Sequence, residues 1–153
     1  MLFCTSSKLV ANGGYCLTTS RHTDMLVTIV RKDAGRKSIP SYGLIDSQSA
    51  KTTSASVDSG FDGGKKVNDR KHHIVIDTMG NLLAISVHAA NVHDTKSGIN
   101  PATKAYEKCS TLEKFCGDEG YSKLFEVVVA EQLGLGVNIS KRLKPEFEVL
   151  PLR

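Results

Sequence analysis

Two β-branched, apolar runs, residues 72–77 and 82–88, flank the tetrapeptide Thr78-Met79-Gly80-Asn81. No other stretch constrains the fold as tightly. Four residues rich in turn formers leave two such runs little choice but an antiparallel hairpin. Residues 42–48 alternate, with Tyr42, Leu44, Asp46 and Gln48 on one side and Gly43, Ile45 and Ser47 on the other, which predicts a third strand. The Ser/Thr/Gly-rich residues 51–64 predict a loop.

The second half alternates helix and strand. Asn100-Pro101 predicts a helix start, with Asn as cap and Pro in first position, and Ala102, Ala105 and Tyr106 carry the helical spacing to about Cys109. Residues 112–117 predict a strand. Residues 122–133 predict a helix stopped by Gly134. Residues 137–140 and 147–150 are short apolar runs around the basic turn Lys141-Arg142-Leu143-Lys144-Pro145. A hairpin followed by alternating helices and strands implies an α/β fold, a mixed sheet with flanking helices. Residues 1–40 read poorly: residues 25–30 suit one short strand or helix among loop-forming residues, and residues 31–37 form a charged connector. The division expected is an N-terminal segment and linker, 1–40, before a domain at 41–153.

Length and composition narrow the class. With 153 residues, 40% of them apolar, the chain is long enough for one domain with its own core. No run nears the ~18 apolar residues of a membrane helix, and residues 1–15 lack a basic leader before an apolar stretch. The four cysteines form no C-x-x-C, which suits reduced thiols in a cytoplasm. The net charge of +4 is unevenly spread: residues 1–73 hold 11 basic and 6 acidic side chains, residues 74–153 hold 9 and 10. A basic first half permits an anionic partner such as nucleic acid, as it does in many ordinary proteins.

Two carboxylates stand out. Asp46 lies inside an otherwise apolar or neutral strand, and Asp118 sits where the strand over 112–117 ends. A mid-strand Asp is disfavoured, and costly if buried unpaired. If the two strands are neighbours, the acids converge at one sheet edge, as carboxylates around a hard divalent cation do. Spacing alone leaves a second reading open, an ordinary ion pair or turn cap.

Four blocks decide between them. Residues 31–153 resemble the DDE transposases of bacterial insertion sequences, in the group built around insertion sequence five. The first block is Gly43-Leu44-Ile45-Asp46-Ser47-Gln48-Ser49-Ala50-Lys51-Thr52, and the second runs from Gly63-Gly64-Lys65-Lys66 to Asp77-Thr78-Met79-Gly80. The others are His88-Ala89-Ala90-Asn91-Val92-His93-Asp94 and Gly117-Asp118-Glu119-Gly120-Tyr121. The resemblance implies a ribonuclease-H-like fold. It also implies DNA cleavage and strand transfer by three acids holding two Mg²⁺ ions, typically ~3.5–4 Å apart. Asp46 and Asp118 match the first two acids and metal ligands. The third block position departs from the family. Leu150-Pro151-Leu152-Arg153 fits the opening of the segment that carries the catalytic Glu, and the chain stops four places short of that Glu. Glu146 and Glu148 lie upstream and fit neither place. The expectation is a domain without its last catalytic helix and inactive by itself, or else a non-catalytic DNA-binding remnant or partner of full-length transposase.

The implied partners are double-stranded DNA, as insertion-sequence ends and target, and another transposase subunit, with no membrane. Lys51, Lys65, Lys66, Arg70 and Lys71 are the candidate phosphate contacts, each adding a salt-dependent term; as a charge run alone they equally suit a solvated loop. Residues 58–69 imitate a calcium loop, but Gly60 and Lys66 occupy ligand positions and no helix precedes it. His88 and His93 have the wrong spacing for a helix-borne zinc pair, and suit loop or core roles. Asp94 suits a cap on the following helix. Gly134-Leu135-Gly136 lacks the third Gly of a dinucleotide fingerprint. Cys109 and Cys116 suit small buried residues.

Overall fold

The hairpin at residues 72–88 is the centre of a sheet. The computed structural model describes residues 9–11, 14–18, 21–51, 60–62 and 67–141, with side chains over 24–50 and 70–141. The elements are β1 (Leu9–Ala11), β2 (Gly14–Thr18), α1 (Arg21–Asp33), β3 (Tyr42–Lys51), β4 (Gly60–Asp62), β5 (Val67–Asp77) and β6 (Leu82–Ala89). Then come α2 (Asp94–Ser97), α3 (Ile99–Lys108), β7 (Lys114–Asp118), α4 (Leu124–Leu133) and β8 (Gly136–Ser140). The strands run in the order β1-β2-β6-β5-β3-β7-β8, with β4 paired to β5. β3, β7 and β8 are parallel, and the other pairs are antiparallel. The five strands β6-β5-β3-β7-β8 with their helices are a mixed α/β arrangement, consistent with the ribonuclease-H-like expectation.

The β5–β6 turn shows why the sequence bends there. Gly80 takes φ +82°, open to glycine at no steric cost, and its N–H donates to Asp77 O at 3.0 Å. Asp77 is fully buried, and its Oδ1 accepts from the N–H groups of Met79 and Asn81 at 2.8 and 2.9 Å. Its Oδ2 accepts from Asn81 Nδ2 at 2.9 Å and from the guanidinium of Arg31, itself buried on α1. Burial pushes the carboxyl up, but the Asn81, Met79 and Arg31 hydrogen bonds outweigh it and hold its pKa below the ordinary value.

One face of the sheet carries the core. Ile45, Val75, Ala84 and Phe115 pack there against Ala102, Ala105, Phe125 and Val129 of α3 and α4. On the opposite face Leu44, Ile74, Ile76, Ile85 and Val87 are only half-buried. Close approach at the centre depends on Gly43. A Cβ there would lie 2.7 Å from Cε1 of the fully buried Phe115 ring. Gly43→Ala is therefore expected to destabilise the protein by about 1–3 kcal/mol, an overpacking cost read as a lower denaturation midpoint.

Several expectations need correction. Residues 51–64 are not all loop: Lys51 closes β3, and Gly60–Asp62 is a strand paired to β5 through Gly60↔Asp69. β5 extends back to Val67, and its exposed backbone pairs with whatever chain lies alongside, whatever the side-chain pattern. The same pairing lays residues 60–62 and 67–69 out as a ladder, not a cation-wrapping loop. Asn100 does not cap α3; the helix begins at Ile99 with Gly98 at the cap. Pro101 still lies in the first turn, where a missing N–H costs nothing. The strand expected over 112–117 runs from Lys114 to Asp118. A 3-10 turn over Glu119–Tyr121 occupies the approach to α4, which starts at Leu124. Gly134, at φ +68°, ends α4 as expected. Residues 25–30 belong to the helix α1, and Leu9–Ala11 with Gly14–Thr18 form a hairpin on the free edge of β6. The run over 147–150 and the segment Leu150-Pro151-Leu152-Arg153 lie outside the described residues.

Candidate functional site

Parallel pairing of β3 with β7 sets the site. Tyr42 pairs with Lys114, Gly43 with Phe115 and Leu44 with Cys116, and Asp46 and Asp118 each follow two residues beyond the last of these pairs. Side chains alternate along both strands. Ile45 and Gly117 face the core, and the next residues along each strand, Asp46 and Asp118, are both exposed. Asp46 Oδ1 accepts from the Ser47 N–H at 2.8 Å. Asp118 Oδ1 accepts from the Gly120 N–H at 3.0 Å and caps the 3-10 turn. Each carboxylate keeps a second oxygen. Asp118, Glu119, Ser140 and Lys141 line a cleft of about 350 Å³ beside the pair. Two exposed carboxylates on adjacent strands are hard oxygen donors, a set that suits Mg²⁺, which keeps several waters and takes one or two carboxylates. Among the described residues no group of three or more His, Cys, Asp or Glu side chains could hold an ion.

Behind the acids, on the core face, lies a polar chain that sequence reasoning missed. The Tyr121 hydroxyl is 2.6 Å from His73 Nδ1, and His73 Nε2 is 2.9 Å from Ser97 Oγ. Ser97 Oγ donates to His93 O at 3.0 Å, which uses its proton, so it accepts from His73 Nε2–H. His73 is fully buried and neutral. Burial and the nearby His88 lower its pKa to about 4, and Asp94 only partly opposes them. A neutral ring donating at Nε2 accepts at Nδ1, so the Tyr121 O–H donates there. Ser47, paired with His73 across the β3–β5 ladder, is a polar neighbour of this hydroxyl. Burial raises the pKa of this phenol above its ordinary range, with Asp94, Asp46 and Asp118 adding to the rise.

Histidine, lysine and aspartate complete the layer. His88 stacks on His73 with ring centroids 4.9 Å apart, and its Nδ1–H donates to Ala89 O at 2.7 Å. Its Nε2 is buried with no hydrogen-bond partner among the described residues. Lys71 is buried, and its Nζ lies 3.0 Å from Asp94 Oδ1, within ion-pair reach but outside hydrogen-bond alignment. The expectation that Asp94 caps a helix needs correction: His93 is the cap of α2, accepting from the Thr95 N–H, and Asp94 is the first helical residue. From there its carboxylate faces Lys71 and His73 instead of the helix N–H groups. The clue in the sequence was periodicity. Lys71 and His73 stand in the same register as the buried Val75, where a polar residue needs a partner.

Of the candidate phosphate contacts, Lys71 is turned inward to Asp94, and Arg70 is half-buried at the strand's end. Lys51 closes β3 with its side chain outside the described residues, as are Lys65 and Lys66. His88 is a core residue and His93 a cap. Cys109 is buried, Cys116 is half-buried, and both are free thiols. No helix among the described residues is long and apolar enough to cross a membrane.

The family model for the transposase DDE domain matches residues 37–137, from the approach to β3 as far as β8. No curated protein matches this chain. The matched span takes in both aspartates and every element that sets them side by side, and it covers about two thirds of the 153 residues, so the chain belongs to the transposase DDE domain family.

Proposed function

We propose that the protein acts on DNA as an insertion-sequence transposase of the group built around insertion sequence five, with Asp46 and Asp118 as two of its metal-binding acids. The observation that carries this reading is the β3–β7 register, which brings the two acids to one exposed edge within the family-matched span. The family generally works on DNA with divalent metal ions. Mg²⁺ bound there would polarise the scissile phosphate and activate water or a 3′-hydroxyl for in-line displacement. The protein's part is to bring Asp46 and Asp118 together, and to present the cleft at Asp118 and Lys141 to the phosphate backbone. Lys51, Lys65, Lys66 and Arg70 supply phosphate contacts, while Lys71 is buried and turned to Asp94.

We further propose that residues 1–153 by themselves neither nick nor join DNA. The same two-acid arrangement favours a second role, a non-catalytic DNA-binding chain that associates with full-length transposase. Purified protein is expected to bind duplex DNA with affinity that falls steeply with salt. It is also expected to bind Mn²⁺ in a manner lost on Asp46→Asn or Asp118→Asn, and to leave DNA uncut. Mn²⁺ binding untouched by either substitution would overturn the assignment of the acids. Mg²⁺-dependent strand transfer abolished by Asp46→Ala would overturn the inactivity.

A further inference from the structure

The acids stand on two paired strands, just beyond the last pair of the ladder, and a buried ring packs there. Tyr121 is fully buried, three residues after Asp118. Its ring lies against the back of Gly117, the residue before Asp118: a Cβ there would be 3.1 Å from Tyr121 Cδ2. Its hydroxyl lies 2.6 Å from Nδ1 of His73, which pairs across the β3–β5 ladder with Ser47, the residue after Asp46. A Cβ on Gly98, between α2 and α3, would lie 2.5 Å from Tyr121 Cε1. Two glycines thus make room for one ring, and Phe125 closes it edge-on at 5.2 Å between centroids. The hydroxyl cannot rotate freely, because the chain Tyr121–His73–Ser97–His93 assigns its protons in one direction only.

We propose that Tyr121 is a positioning residue: its hydroxyl, anchored through His73 to Ser97, ties the backbone beside Asp46 to the backbone beside Asp118 and fixes the spacing of the two carboxylates for a divalent cation. This rests on Asp46 and Asp118 as the metal-binding acids. It adds a role for residues that touch neither the cation nor DNA. Partners of this kind, one step removed from the metal, typically matter about 10–100-fold in its affinity. Tyr121→Phe keeps the ring between Gly98 and Gly117 and deletes only the tie.

The test is Mn²⁺ binding, followed by titration calorimetry and by the electron spin resonance of free Mn²⁺, on the full chain and its variants. Tyr121→Phe is expected to bind Mn²⁺ about 10-fold more weakly. Ser47→Ala, which removes the polar neighbour of that hydroxyl on β3, is expected to shift affinity in the same direction. Val129→Ala, a core truncation in α4 away from the acids, is the control for a merely structural effect: it should lower the melting temperature and leave Mn²⁺ affinity unchanged. If Tyr121→Phe does not fold, Ser47→Ala decides alone. Wild-type Mn²⁺ affinity in the foldable tie variants overturns the proposal while leaving the two acids in place, provided Asp46→Asn and Asp118→Asn still abolish binding. A wild-type protein that binds no Mn²⁺, or acid variants that bind it normally, overturns the acids and the tie together.

Discussion

Asp77→Ala is expected to lower the free energy of unfolding by about 3–5 kcal/mol, the usual cost of removing one partner from a buried ion pair. The carboxylate is wholly buried and receives four hydrogen bonds, from Arg31, the Asn81 side chain and the N–H groups of Met79 and Asn81. Its loss leaves the Arg31 guanidinium buried with only the Nε bond to Lys37 O, and it unfastens the β5–β6 turn. Arg31→Met is expected to cost less, because three of the four hydrogen bonds to Asp77 survive it. Urea denaturation at neutral pH measures both. Equal losses in the two variants would show that the ion pair, not the turn, dominates. As a typical domain is stable by only about 5–15 kcal/mol, Asp77→Ala should bring the protein close to unfolding at ambient temperature.

The second large effect is acid lability above the range where carboxylates titrate. His73 titrates near 4 when folded and near 6.5 when unfolded. Between those values the unfolded chain binds the extra proton, so stability is full above about pH 6.5 and falls as pH drops towards 4. At 1.36 kcal/mol per unit the loss reaches about 3 kcal/mol by pH 4. Burial lowers the pKa of His88 as well, which adds to the loss with the same sign. Asp77 acts in a lower window: its contribution is present above the ordinary Asp value and is lost only as pH falls through its depressed folded pKa. Denaturation midpoints at pH 7, 5.5 and 4.5 would trace the loss. His73→Gln, which keeps a donor and an acceptor but does not titrate, should flatten the slope between pH 6.5 and 4; an unchanged slope would remove His73 as its source.

How much of this was legible in the sequence follows from range. The hairpin over 72–88, the strand over 42–48 and the helix stop at Gly134 were readable because each depends on neighbours within a few residues: a turn tetrapeptide, an alternation, a positive φ. The β1–β2 hairpin and β4 were not readable. They are held by partners elsewhere in the chain, 66 residues or more away for β2 on β6, and their own side chains carry no alternation. The extended start of β5 was hidden by its charges, which suggested a loop until pairing with β3 and β4 fixed its backbone. Lys71 was read as a surface cation for the same reason, and Asp94 as a helix cap. Each residue alone fits its expected place, and only their juxtaposition gives both another.

The site divides in the same way. The sequence by itself determined that Asp46 and Asp118 belong to two strands, and motif order tied those strands to one family. That they share an edge was a conditional, settled only by the parallel β3–β7 register, because strand order is a property of the whole sheet and is written in no single segment. The polar layer of Tyr121, His73, Ser97, Lys71 and Asp94 belongs wholly to the tertiary structure. Its members come from β5, the α2 helix and the turn after β7, and a hydrogen bond between such distant elements leaves no local pattern to read. Gly98 and Gly117 look like ordinary loop and strand-end glycines until a buried ring is found between them.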